Sequence, residues 1–364
     1  MNKHQPYDLA QMQSLPLKSK IIMSETRIRD WFKYWDGNVY VSFSGGKDST
    51  VLADLCAKVC EIYGYTLYLV FVNTGLEYPE IQKFVKTFAE WLRNTYNIEV
   101  VLDVLRPEMR FDEVIKKYGY PVITKRISNT LYYAKKNITD GKDTIRVKAL
   151  NNAYDMKNGG KSFFNCAKWK FIIDAPFDVS DHCCAVMKKK PLNEYSKRTN
   201  RVPITAQMAS ESISRKSQWI QHGCNAYEKK HPISNPLSFW TEQDILHYIK
   251  EFQIPYCSVY GDIVFDAHIQ DVSQEQVNII DYLGCYEPQD KLTTTGCNRT
   301  GCIYCMYGCH LEKGQNRFQR LKETHPRQYE YCINGGEMVD GKWQPSKEGL
   351  GIGKVLDFIG VKYE

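Results

Sequence analysis

The sequence predicts an α/β protein: a doubly wound, mainly parallel sheet followed by a cysteine-rich C-terminal segment. Three observations lead there. Strand-length apolar runs alternate with helical periodicity between residues 39 and 118, the pattern of parallel strands joined by right-handed crossovers. The first strand-to-helix turn reads Ser44-Gly45-Gly46-Lys47-Asp48-Ser49-Thr50. Four of the 13 cysteines fall within 13 residues as Cys297-x4-Cys302-x2-Cys305-x3-Cys309.

In order along the chain, residues 1–23 are polar and irregular and read as an arm or partner-binding tail. Ser24 is placed to cap a helix through Trp35, with Ile28, Trp31, Phe32 and Trp35 on one face. Val39–Phe43 is the first strand. Val51, Leu52, Leu55, Cys56, Val59 and Ile62 mark the helix after the glycine turn. Thr66 to Val72 is the second strand, and Ile81, Phe84, Val85, Phe88, Trp91 and Leu92 set the next helix. Ile98 to Leu105 is a third strand, and Phe111 to Tyr118 a short helix. Residues 120–180 lose this rhythm and read as an insertion with a turn at Gly159-Gly160. Arg201 to Met208 is another core strand and Ser212 to Gly223 a helix. Thr241-Glu242-Gln243-Asp244 has the form of a capping box and opens a helix ended by Pro255. Domain boundaries are expected at 1–36, an arm and helix; 37–285, the nucleotide-binding body; and 286–364, the metal-binding segment. There is no internal repeat and no low-complexity block.

Composition limits the functional classes. At 364 residues with 43% hydrophobic content the chain can fill a large core. Net charge is +6, from 48 basic and 42 acidic residues, mild enough to fit phosphate ligands without establishing nucleic-acid binding. No apolar leader and no run of 18 apolar residues is present, so neither a signal peptide nor a membrane span is expected. The cysteines then read as metal ligands or buried thiols of a cytoplasmic protein, not disulfides.

The glycine turn is an anion site by construction. Gly45 and Gly46 allow positive φ and close backbone approach. Exposed N–H groups at a helix N-terminus favour phosphate. Lys47 adds charge, and Ser44, Ser49 and Thr50 add hydroxyls. Asp48 reads as a helix cap or a Mg²⁺ contact. The spacing is not that of a Walker A loop. A second stretch, Asn73-Thr74-Gly75-Leu76-Glu77-Tyr78-Pro79-Glu80, leaves the end of the second strand, where ligands bind in open α/β sheets; its bland reading is a turn with Pro79 at a helix start.

Together, these residues resemble the PP-loop ATPases, and within them the PAPS reductase/ATP sulfurylase-like family, over about residues 38–305. That resemblance implies an adenine nucleotide alpha hydrolase-like fold. It implies that Ser42 and Phe43, the loop 44–50, and Asn73, Thr74, Gly75 and Glu77 hold an adenine nucleotide, either ATP with Mg²⁺ or a sulfonucleotide (APS or PAPS). Arg215 and Lys216, after the strand at 201–208, are the implied phosphate contacts. The Pro236–Thr241 and Ile254–Gly261 segments match the family pattern around one core helix. Cys183-Cys184, followed by Lys188-Lys189-Lys190-Pro191-Leu192, is similar to the tandem-cysteine element of APS reductases. By that likeness Cys183, Cys184, Cys302 and Cys305 hold a [4Fe–4S] cluster, with zinc as the alternative and Cys297, Cys309 and Cys224 in reserve. Lys188–Lys190 are either a solvated face or an electrostatic partner of that site.

Three departures follow. The loop is intact, as in members that bind ATP, whereas it is degenerate in the reductases. The Glu-Cys-Gly-x-His tail of the reductases is missing; the sequence ends Gly-Val-Lys-Tyr-Glu, and Cys332 sits in Tyr-Cys-Ile-Asn. The cysteine-rich segment carries two extra cysteines. The expected function is therefore ATP cleavage between the α- and β-phosphates, with adenylation of, or sulfur transfer to, an unknown acceptor. Lys47, Asp48 and Ser49 would be the catalytic set, with a protein partner or sulfur donor involved. The alternatives are a thioredoxin-dependent sulfonucleotide reductase releasing sulfite, and a non-catalytic nucleotide-sensing partner. Nucleic-acid modification enters only by analogy and is not supported by the overall charge.

Overall fold

The computed structural model describes residues 2–266 and 291–364; the expected boundary at 285/286 lies outside them. The chain divides into two compact units. The first comprises Met1–Asn73, Glu77–Leu105 and Leu192–Thr300, and the second Thr74–Leu76, Arg106–Pro191 and Gly301–Glu364.

The first unit is built on a six-stranded sheet. Its strands are β1 (Val39–Ser42), β2 (Leu67–Val72), β3 (Val100–Leu105), β4 (Val202–Ile204), β5 (Asn225–Ala226) and β6 (Ile233–Ser234), in the order β3-β2-β1-β4-β6-β5. All neighbours run parallel except β5 and β6. The order reverses at β1, so the crevice beyond the carboxyl ends of β1 and β4 is the topological switch point of a doubly wound sheet. The expected fold class is what the chain adopts. Helices α3 (Lys47–Tyr63) and α4 (Pro79–Thr95) supply the crossovers, and α3 buries most of its residues. The expected strand from Arg201 to Met208 is only three residues long; just beyond it, Thr205 N–H donates to Ser234 O of β6 at 2.8 Å.

The N-terminal residues correct the sequence reading. They form α1 (Pro6–Gln13) and α2 (Leu17–Tyr34), so 1–23 is not irregular and Ser24 is not a cap. Ser24 lies inside α2, fully buried; its Oγ donates to Pro236 O at 3.0 Å and accepts from Trp240 Nε1 at 2.9 Å. Lys20, one turn earlier, is also buried and pairs with both oxygens of Asp244 at 2.8 Å. Asp244 belongs to the capping box of α10 (Glu242–Glu251), where Thr241 Oγ1 accepts from Asp244 N–H. The apolar stripe of α2 thus runs through two polar residues whose partners lie far along the chain.

The second unit contains α5 (Phe111–Tyr118), at the predicted limits. It also contains α6 (Lys125–Thr139), α7 (Ile145–Leu150) and a 3-10 turn at Ala167–Asp174. The arrhythmic stretch 120–180 is therefore a helical pair plus a turn, and the Asp155–Lys161 bridge closes the expected Gly159-Gly160 turn. Tyr120 anchors the unit: its ring meets Phe177 edge-on at 5.7 Å and its hydroxyl donates to Leu350 O at 2.7 Å. Helices α11 (Arg317–Thr324), α12 (Pro326–Ile333) and α13 (Ile352–Phe358) complete it. No helix among the described residues is long and apolar enough to cross a membrane.

Candidate nucleotide and thiol sites

β1 ends at Ser42, and Phe43 continues the ladder by donating its N–H to Val70 O at 3.0 Å. Its ring stacks on Phe88 at 5.5 Å, so the side chain belongs to the core and only its backbone faces the turn. Gly45 has φ +72, and a Cβ there would meet Ile81 and Val85 at 2.9 Å. Gly45 is glycine for both reasons. Gly46 does not take positive φ, contrary to the sequence reading; it is the N-cap of α3 at φ −79. Its constraint is space, since a Cβ would stand 3.1 Å from Thr300 Oγ1 and 3.2 Å from the Tyr260 hydroxyl. Gly45→Ala is expected to cost about 1–3 kcal/mol, read as a lower urea midpoint; an unchanged midpoint would refute the strain.

The turn is tied to itself through hydroxyls. Ser49 Oγ accepts from Ser44 N–H at 3.2 Å and donates to Gly46 O at 2.9 Å, and Thr50 Oγ1 donates to Gly46 O at 3.1 Å. Lys47 is buried, at 5% exposure. Its ammonium donates to Glu242 and to Asn298 O at 2.7 Å, and its N–H donates to the Tyr260 hydroxyl at 3.2 Å. A half-exposed carboxylate and a hydroxyl thus satisfy donors that the loop would offer to phosphate. Lys47 is the buried member of that pair and Glu242 the solvent-facing one, so an incoming anion has to replace the Glu242 carboxylate at the ammonium.

Asp48 is not the helix cap expected of it. It lies in the first turn of α3 with its Oδ1 buried and unpartnered. Burial holds its carboxyl above the ordinary range, against the pull of Lys47, Arg299 and Arg215. The unfolded chain therefore releases this proton more readily than the folded one, so stability falls as pH rises from the ordinary aspartate range through the raised value. Asp48→Asn is expected to melt about 2 °C higher at neutral pH, with the difference gone below about pH 4. An unchanged or lower melting temperature at pH 7 would contradict this.

Arg215, in α9 (Ile213–His222), pairs with Glu211, and Arg299 Nη1 lies 3.5 Å from the other Glu211 oxygen. Burial and Arg299 lower the Arg215 pKa. Two guanidiniums thus share the Glu211 carboxylate beside Asp48. Lys216, the other expected contact, is exposed. Arg299, Tyr260, Glu242 and Asn298 were not singled out from sequence as loop contacts; Tyr260 and Glu242 read there as fold elements.

Asn73 N–H donates to Leu105 O at 2.8 Å, so the chain leaves β2 still paired to β3. Glu77 is buried at the start of the return to the first unit. Thr74–Leu76 belong to the second unit, where Thr74 Oγ1 accepts from Leu76 N–H at 3.2 Å, and Leu76 O accepts from Ile303 N–H at 2.8 Å.

Leu76 also lines a cavity with Phe111, Pro121, Met187, Lys188 and four cysteines: Cys183, Cys184, Cys302 and Cys305. The tandem pair heads a helix that runs as a π-turn through Ala185–Lys189 before α8 (Lys190–Thr199); such turns concentrate at functional sites. Cys183 Sγ donates to Cys184 Sγ at 4.0 Å. That bond, with Lys125, Lys188 and Lys189, lowers the Cys184 thiol below its ordinary range. Lys190, by contrast, pairs with Glu108. The three reserve cysteines are not in this lining. Cys297 lies 3.7 Å from the Tyr78 hydroxyl in the first unit, and Cys224 is in that unit's core. Cys309 donates to Met306 O at 3.0 Å, and burial pushes its thiol up to about 11. Cys332 is fully buried with its thiol pushed well up, so it presents no thiolate for attack. Among the described residues, no group of three or more His, Cys, Asp or Glu side chains is arranged to hold a metal ion. The cavity nonetheless gathers four soft thiol donors beside a cation, the donor chemistry that suits iron–sulfur or zinc.

The site defines a class first: a PP-loop α/β protein, with a glycine-bearing strand-to-helix turn at the switch point. The family model for the phosphoadenosine phosphosulfate reductase domain matches residues 38–158 and 147–307. The chain belongs to that family. It is 37% identical over 93 residues to an uncharacterized protein, MJ0973, of Methanocaldococcus jannaschii; the match covers 26% of this chain and 20% of that protein. The chain thus spans about a fifth of the length of this curated relative. Among solved structures it is similar to an NMN synthetase from Francisella tularensis, with 15% identity and a TM-score of 0.33, covering 66% of this chain and 73% of that one. It is also similar to an NH3-dependent NAD synthetase from Campylobacter jejuni, with 13% identity and a TM-score of 0.32, covering 66% and 75%. These structural likenesses are too slight to bear on the chemistry.

Proposed function

We propose that the protein binds ATP at the 44–50 turn and cleaves it between the α- and β-phosphates. The observation that carries this reading is the intact glycine turn at the switch point, with buried Lys47 and an unpartnered buried Asp48 oxygen in the first turn of α3. A nucleophilic oxygen of the acceptor attacks the α-phosphorus, the Pα–O–Pβ bond breaks, and pyrophosphate leaves with the acceptor adenylated. Lys47 and the helix N-terminus stabilise the leaving charge. Arg215 and Arg299 steady the remaining phosphate oxygens. Asp48 would hold Mg²⁺, which when bound neutralises phosphate charge. A sulfur donor that displaces AMP from the adenylated acceptor would complete a sulfur transfer.

The four cavity cysteines would hold a [4Fe–4S] cluster, or zinc, in a reducing cytoplasmic compartment. The cluster would supply a structural or redox centre; the cysteines and Lys188 supply its charge balance. For the reductase reading, the Cys332 thiol is fully buried and pushed well up, so it is no nucleophile. Anaerobic turnover of ATP, APS and PAPS, with pyrophosphate and sulfite read in parallel, separates the two. Pyrophosphate from ATP is expected; sulfite from APS or PAPS without pyrophosphate from ATP would overturn the reading.

A further inference from the structure

Residues 125–170 carry more positive charge than the whole protein. They hold eleven Lys and Arg against three Asp, a net +8, while the entire chain is +6. The mild overall charge therefore hides a strongly basic segment set against a slightly acidic remainder. The three acids are already matched: Asp140 by Lys142, Asp143 by Lys148 and Asp155 by Lys161.

Exposed aromatic rings are interleaved with these cations. Phe163 is 73% and Phe164 54% exposed, and Tyr133 and Phe171 are also exposed. The Arg126 guanidinium lies over both phenylalanines, 5.6 and 5.8 Å from their centroids, and donates to Phe164 O at 2.9 Å. Arg146 lies 4.6 Å over Tyr133. The support is rigid. Helices α6 and α7 and the 3-10 turn pack on one another, Cys166 N–H donates to Ala149 O at 2.9 Å, and Asn165 Nδ2 donates to Tyr154 O at 3.0 Å. Two adjacent exposed rings among lysines need a partner that is polyanionic and offers flat faces. Single-stranded nucleic acid has that chemistry: bases stack on aromatic rings, and phosphates follow cations. An anionic membrane would instead need a continuous apolar helix face to insert. The apolar face of α6, with Ile127, Leu131 and Ala134, is buried in its own unit.

We infer that this surface of the second unit docks single-stranded nucleic acid, with Phe163 and Phe164 as stacking platforms. The inference is independent of the ATP reading, and its test measures binding alone. The full-length protein is titrated into fluorescein-labelled 20-nucleotide oligo(dT) and oligo(U) at 50–200 mM NaCl. Binding should weaken with salt, with a log–log slope of about −3 for four or five phosphate contacts. The doubly substituted variant Phe163→Ala/Phe164→Ala should bind about 10- to 100-fold more weakly at the same slope. The variant Lys157→Glu/Lys168→Glu/Lys170→Glu should flatten the slope. All five side chains are exposed, so far-UV circular dichroism should match wild type. Salt-independent or absent binding, wild-type binding by both variants, or binding to phosphatidylserine vesicles in place of oligonucleotides would each overturn the inference.

Discussion

Lys47→Ala is expected to lower pyrophosphate release from ATP by about 100-fold or more, the loss seen when a preorganised donor to a developing anion is removed. The ammonium is buried beside the N-terminus of α3, and its partners are Glu242 and the Asn298 carbonyl. Truncation leaves Glu242 half in solvent, so the fold should survive and the loss should fall on turnover. Lys47→Arg should not restore the rate, because a planar fork does not replace a compact point charge held 5.4 Å from the Tyr260 ring. Pyrophosphate release is measured with a coupled assay, and the melting temperature is taken alongside. Full release by a folded Lys47→Ala protein would remove the lysine from the mechanism.

On the proposed cluster, Cys302→Ser and Cys305→Ser are each expected to lose most of the iron, and with it the visible absorption, that the anaerobically purified wild type would carry. These two side chains meet Cys183 and Cys184 around one cavity, and Lys188 and Lys189 favour the thiolate there. Cys224→Ala and Cys309→Ala should keep their iron, since one thiol is in the core of the first unit and the other is bonded to a backbone carbonyl. Metal analysis decides it. Iron retained in both cavity variants, or lost equally in the two controls, would refute the ligand set; stoichiometric zinc in place of iron would keep the ligands and change the metal.

What could be read from the sequence was local. The 44–50 turn, its flanking strand and helix, and the limits of α5 all depend on residues adjacent in the chain. The contacts around this turn do not: Lys47 reaches Glu242 and Asn298 at separations of 195 and 251 residues. Arg299 reads as an ordinary surface cation until it stands beside Glu211 and Arg215. The start of α2 was hidden because Lys20 and Ser24 look like surface residues, yet are buried by partners more than 200 positions away. The segment 120–180 concealed two helices because lysines, asparagines and tyrosines crowd the solvent side of α6, while only a few apolar positions mark its inner face. That Cys183, Cys184, Cys302 and Cys305 line one cavity was legible only through family resemblance, since spacing alone does not join positions 183 and 302.

The most direct test of the central claim is product analysis of ATP labelled at the α-phosphate, incubated with Mg²⁺ and the anaerobically purified protein. The account predicts labelled AMP or a labelled adenylated acceptor, with unlabelled pyrophosphate released in equal amount. Labelled ADP with inorganic phosphate would place the cleavage at the wrong bond and contradict it.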